Sequence, residues 1–179
     1  MNINQLTQQL DKSNKHPPVE KWDPAFCGDM DIQIKSDGVW WYMGTPIGRM
    51  PLVKLFASVL TTTNNEYFLV TPVEKVRIKV EDAAFVVTQW RQAGEMIVFT
   101  TNVGDEFVLS AQYSLALPVE GQTAPLYLNV HRGLQARFHR NVYYQLAEVA
   151  ELKVVDGVQR AECFVVQSGG VDFVLGVDG

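Results

Sequence analysis

Only two of the 179 residues are cysteine, Cys27 and Cys163, and they stand far apart in the chain. Neither falls in a CxxC pair or another metal-ligand spacing, so no thiolate metal centre of the usual kind is expected. Apolar runs are short, and none approaches the ~20 residues a membrane helix needs. The opening MNINQLTQQLDKSNK has no apolar core and no cleavage pattern, so no signal peptide is expected. Positive charge is also in deficit. Fifteen Lys and Arg stand against 20 Asp and Glu, for a net charge of −5 and a pI near 5.2. That balance argues against bulk nucleic-acid or membrane-surface binding. The expectation is a cytoplasmic protein with both thiols reduced.

Catalytic signatures are missing as well. The sequence has no GxSxG elbow, GxxxxGK[ST] loop, HExxH pair or GxGxxG turn. Gly44 to Arg49 (GTPIGR) imitates a phosphate loop but lacks the Lys-Ser/Thr that would reach phosphate and metal. His131 and His139 have no Cys, Asp or Glu near them at ligand spacing, so no metal or cofactor is expected. Asp29 and Asp31, two apart, share a strand face and read as a solvated edge.

What is present is hydrophobic residue, 47 % of the chain, in patterns dominated by alternation. Residues 1–24 read as an arm, with Ile3, Leu6 and Leu10 on one face of a short helix and Trp22 pinning it. DIQIKSDGVWWYM is a hairpin about Ser36-Asp37-Gly38. Residues 51–60 carry helical spacing after Pro51, and Thr61 to Glu66 reads as a polar loop. Tyr67–Val70 and Val76–Val80 are strands. Residues 85–110 form a meander, SLALPV is a further strand, and a loop follows at 121–125. PLYLNVHRGLQARF is a hairpin whose turn ends in Gly133. Residues 141–152 form the clearest helix, with Val142, Leu146 and Val149 inward, joined by Tyr143 and Leu152. ECFVVQSGGVDFVLG closes as a hairpin. The expected class is α+β, with mostly antiparallel strands, because loops of two to five residues do not support parallel pairing. Residues 29–80 and 125–176 share an order of hairpin, arginine, helix, strand, strand, which suggests a β-β-α-β-β duplication with the meander inserted between copies. The chain divides into an arm (1–24), an N-terminal half (25–84) and a C-terminal half (85–179).

Thr71-Pro72-Val73-Glu74 has the grammar of a helix start, yet strand alternation resumes at Val76. It reads as a tight corner with Glu74 and Lys75 outside the ladder. Arg49 precedes the first helix. Arg140 precedes the second, with Asn141 as its N-cap, so each arginine adds charge to the positive end of a helix dipole and favours an anion. Arg137 and His139 share a strand face in a local basic stripe. Trp40 and Trp41 point to opposite faces, one into the core and the other free to stack on a ligand.

The segments CGDMDIQIKSDGVWWYMGTPIGR, LFASVL, YFLVTPVEKVRIKVEDAAF, TNVGDEF and RGLQARFHRNVYYQLAE together resemble the bacterial domain-of-unknown-function family 1285. The resemblance runs over nearly the whole chain after the arm. One departure is EDAAF, where the family pattern has EDAPF. The resemblance implies a duplicated α+β core, a C-terminal half superficially like pleckstrin-homology domains, and a site between the halves for a nucleotide-like ligand in signalling. It brings no catalytic residues. The expected ligand set is Arg49, Glu74, Lys75, Arg137 and Arg140, with Asn102 and Asp105 at its edge and Trp40 or Trp41 stacking. A non-catalytic module for a small anionic ligand is the first reading. An adaptor for a protein partner is the second, and an enzyme acting on a phosphorylated metabolite is the third.

Overall fold

The computed structural model describes residues 2–117, 125–156 and 162–177. The chain forms two compact units, the first of residues 1–84 with 132–134, the second of residues 85–131 with 135–179. The loop expected at 121–125 lies outside the described residues apart from Pro125.

The first unit contains α1 (Ile3–Gln8), β1 (Phe26–Ile34), β2 (Trp40–Tyr42), β3 (Thr45–Pro46), α2 (Met50–Ala57), β4 (Leu60–Thr63), β5 (Glu66–Val70) and β6 (Lys75–Val80). Its strands form one sheet in the order β3-β2-β1-β6-β5-β4. All neighbours are antiparallel except the central pair, β1 and β6. Alternation assigns the faces. Val76 and Ile78 of β6 are buried, whereas Lys75, Arg77 and Lys79 share the opposite side. Helix α2 contributes Val53, Phe56 and Ala57 to the core, and Phe56 stacks on Trp40 with ring centroids 6.5 Å apart. Trp40 is fully buried, and its indole Nε1 has no hydrogen-bond partner among the described residues.

The expected polar loop at Thr61 to Glu66 is instead the β4–β5 hairpin. Asn64 and Asn65 take φ of +52° and +62°, the paired left-handed conformation of a two-residue type I′ turn. The run of β-branched threonines then supplies a strand without needing apolar side chains.

The second unit contains β7 (Phe85–Ala93), β8 (Met96–Thr101), β9 (Glu106–Val108), β10 (Leu115–Ala116), β11 (Tyr127–Asn129), β12 (Gln135–Phe138), α3 (Arg140–Val149), β13 (Glu151–Val154), β14 (Glu162–Ser168) and β15 (Val171–Val177). A six-stranded sheet runs β10-β11-β12-β7-β8-β9, again with one parallel pair, β12 and β7, at its centre. A separate antiparallel sheet runs β13-β14-β15. Buried Ser168, at the tip of the β14–β15 hairpin, accepts from Ile97 N at 3.0 Å and donates to Leu109 O at 2.8 Å. Gly169 N donates to Glu95 O at 2.8 Å. That tip is therefore built onto the strands of the larger sheet.

The protein is α+β with two similar halves, but the repeat runs in another register than 29–80 against 125–176. Each six-stranded sheet begins at its centre, meanders outward through three strands, crosses to the far edge, and returns through three more. The last strand lies parallel beside the first. The matching stretches are 26–80 and 85–138, so the meander at 85–110 is the first half of the second copy and no insertion. The helices occupy different places: α2 lies in the crossover of the first sheet, whereas α3 follows the last strand of the second.

Helix α3 is also shorter than the expected 141–152. Ala150 turns extended (ψ 148°), and Glu151 to Val154 pair with β14, so Leu152 is a strand residue and exposed. Val149 is exposed rather than inward.

Candidate functional site

The TPVEK segment is a corner and no helix. Thr71 Oγ1 accepts from Val73 N at 3.3 Å and Glu74 N at 3.0 Å, and Thr71 N donates to Glu74 O at 2.8 Å. A hydroxyl that would cap a helix closes a single turn here, because β5 and β6 hold both flanks in a ladder. Thr71 is fully buried. Its hydroxyl donates to Gln9 Oε1 at 2.8 Å, and Gln9 Nε2 donates to Glu74 Oε2 at 2.8 Å.

The N-terminal arm thus closes over the corner. Helix α1 starts with a capping box, Asn2 to Gln5 and back, and buries Leu6, while Leu10 beyond it is also buried. Gln5, Gln8 and Gln9 of the arm, with Cys27 and Glu74, line a shallow polar groove of about 460 Å³. Arg132 fastens the arm further along. Its guanidinium donates to Glu20 Oε1 at 3.0 Å, Ser58 O at 2.7 Å and Pro17 O at 3.3 Å, and the side chain is only 12 % exposed. Sequence reasoning assigned Arg132 no such role. The clue is weak, since only folding reveals a left-handed residue (φ +57°) ahead of Gly133.

The remaining expected residues separate by unit and by role. Lys75 is the first residue of β6, opposite Val70 and Phe26, so it lies in the ladder and not outside it. Its Nζ sits 4.3 Å from the Phe68 ring centroid. Trp40 is core. Trp41 is half-buried, with Lys35 Nζ 5.7 Å from its ring, and is the indole available for stacking. Arg49 is the N-cap residue of α2 and exposed.

In the second unit, Asn102 bridges to β7, where its N donates to Val86 O at 2.8 Å and its Oδ1 accepts from Val86 N at 2.9 Å. It braces the irregular register between Val87 and Gln89. Asp105 is exposed in the turn that Thr101 N closes onto its carbonyl at 2.9 Å. Arg137 lies in β12 and is half-buried. His139, not Asn141, is the N-cap of α3, with Nδ1 accepting from Asn141 N at 3.2 Å. An extended His139 (ψ 140°) ends β12 and leaves Arg140 as the first helical residue.

Charge pairing distinguishes the arginines. Arg77 binds Asp29 through two bonds of 2.7 and 3.2 Å, reaches Glu66 at 2.8 Å, and lies over the Phe26 ring. That bond lowers the Asp29 pKa and raises that of Arg77. Arg91 pairs with Glu106 and Arg132 with Glu20. Arg49 and Arg140, both at helix starts, form no ion pair or side-chain hydrogen bond with any described residue. The other shifted groups lie at a surface ion pair, in a turn or, for Tyr67, half-buried in β5. Asp172 is lowered by hydrogen bonds from Gln167 and Lys153, and Lys153 is raised by Asp172. Tyr67 is raised by burial and by Asp82. Among the described residues no three His, Cys, Asp or Glu side chains are grouped to hold a metal ion, and no helix is long and apolar enough to cross a membrane.

Two adjoining family models match the chain: "Domain of unknown function (DUF1285), N-terminal domain" over residues 17–83, and "Protein of unknown function (DUF1285), C-terminal domain" over residues 84–175. The chain belongs to the DUF1285 family. The crystal structure of a DUF1285 family protein from Silicibacter pomeroyi DSS-3 is similar to it, with 36 % identity and a TM-score of 0.85 over 98 % of this chain and 95 % of that one. A second DUF1285 family protein, from Shewanella baltica OS155, matches at 32 % identity and a TM-score of 0.55 over 65 % of this chain and 90 % of that one. A comparison with the curated proteins finds no match.

Proposed function

We propose that this DUF1285 protein is a cytoplasmic, non-catalytic binding module for a small anionic, nucleotide-like ligand, acting in signal transduction. One observation carries the reading. Arg49 and Arg140 are exposed cations at the N-termini of α2 and α3, and neither is paired with a described acid. In a protein of net charge −5 that contrast is informative, because Arg77, Arg91 and Arg132 all have carboxylate partners. A planar guanidinium at the positive end of a helix dipole suits phosphate or carboxylate oxygens. Trp41 adds a ring face for a base.

The test is a thermal-shift series with adenosine and guanosine nucleotides and pyrophosphate, on the wild type and on Arg49→Ala and Arg140→Ala. A ligand that binds only the folded state raises the melting temperature by mass action. A shift that vanishes in the variant of the arginine holding the anion supports the reading, and a flat response across the panel removes it.

A further inference from the structure

We infer that the free edge of β13 pairs with β13 of a second copy of this chain, extending two three-stranded sheets into one of six. Strand β13 bonds to β14 on one side, and among the described residues no strand pairs with its other side. An unpaired edge offers a row of N–H and C=O groups to any strand that fits. The side chains on this edge are unusually apolar for a free strand. Leu152 and Val154 are exposed, by 50 % and 67 %.

The sequence Ala150-Glu151-Leu152-Lys153-Val154 is complementary to itself when reversed. In an antiparallel pairing centred on Leu152, Leu152 meets Leu152 of the second copy, and Ala150 meets Val154. These residues lie on one face, which becomes a continuous apolar strip. On the other face Glu151 meets Lys153 twice, once on each side of the two-fold axis. Neighbouring registers fail. Centring on Glu151 opposes two glutamates, centring on Lys153 opposes two lysines, and an odd shift sets Leu152 against Lys153. One register therefore satisfies both faces.

Lys153 does not guard the edge in the way lysines often do. Its Nζ leans back over its own sheet to Asp172, two strands away, at 3.2 Å, and lies 3.5 Å from Glu151. Its three donors leave room for a third carboxylate. A strand pair of this length is small beside the ~1,000 Å² of a stable interface, so the dimer is reversible and depends on concentration. This inference is independent of the anion reading.

Sedimentation of the full chain across a concentration series tests it. The wild type is expected to show a reversible monomer–dimer equilibrium. Glu151→Lys sets lysine against lysine and weakens it about tenfold, and Lys153→Glu does the same. Mixing the two variants restores association, because each then meets the opposite charge in its partner. Circular dichroism verifies that each variant is folded. A wild type that stays monomeric throughout overturns the inference. A dimer that both variants leave unchanged, or variants that fail to associate when mixed, overturns it equally.

Discussion

Gln9 bridges the Thr71–Glu74 corner with the two ends of one amide, accepting from the Thr71 hydroxyl and donating to the Glu74 carboxylate, each at 2.8 Å. The contact spans more than sixty residues of sequence and ties the arm to the junction of β5 and β6. It also explains why a helix-start motif stands at the mouth of a strand. Thr71 caps a single turn, and its remaining hydrogen goes to the arm.

Thr71→Val leaves Val73 N, Glu74 N and Gln9 without their acceptor or donor in a buried place. The expected loss is about 1–3 kcal/mol of unfolding free energy in urea. Gln9→Ala costs less, and its stronger signature is faster hydrogen exchange in residues 3–10. Unchanged exchange there shows that the arm is held by Leu6 and Leu10 alone.

Arg132→Ala removes three bonds to Glu20, Ser58 and Pro17 from a mostly buried guanidinium. A loss of about 1.5–3 kcal/mol is expected, with earlier proteolysis in the exposed segment 11–16. Arg132→Lys recovers only part, because one ammonium does not reproduce the fork. Equal stability of Arg132→Lys and the wild type contradicts this assignment.

Ser168→Ala strips Ile97 N and Leu109 O of a buried partner, and the expected cost is about 1–3 kcal/mol. The melting temperature reports it, and a drop of less than a degree contradicts the account.

The Asp29–Arg77 pair sets a pH dependence. The arginine holds the Asp29 pKa below its ordinary value, so the folded state binds a proton less readily than the unfolded chain. The pair's stabilisation is present above the unfolded pKa, about 3.9, and fades as pH falls through the folded value. Asp29→Asn should lower stability at neutral pH and converge with the wild type in strong acid. Both groups are exposed, so added salt should narrow the difference.

Much of the fold was legible because alternation and turns are local. The hairpins about Ser36-Asp37-Gly38 and Ser168-Gly169-Gly170 lie where the sequence placed them. Sheet membership was not legible, since the parallel pairings of β1 with β6 and β12 with β7 join residues about fifty apart without a sequence mark. That is why the repeat was expected in another register. Thr61 to Glu66 misled because polarity outweighed the Asn64-Asn65 turn signal. Leu152 misled because a helical apolar phase runs on past Ala150, where the backbone turns extended. Of the expected site, Trp41, Arg49 and Arg140 remain exposed or half-exposed, whereas Asn102 and Glu74 already serve Val86 and Gln9. Side-chain partners of that kind depend on tertiary neighbours, which no local pattern encodes.

The measurement that bears most directly on the proposed function is calorimetric titration of the protein with adenosine triphosphate at low ionic strength, repeated on Arg49→Ala, Arg140→Ala and the double variant. The account predicts saturable binding to the wild type, weakened about tenfold or more by substitution of the arginine that holds the anion, because a hydrogen bond to a charged group is worth about 1.5–3 kcal/mol. The double variant should show no heat of binding. An affinity that both substitutions leave unchanged contradicts the assignment of these two arginines.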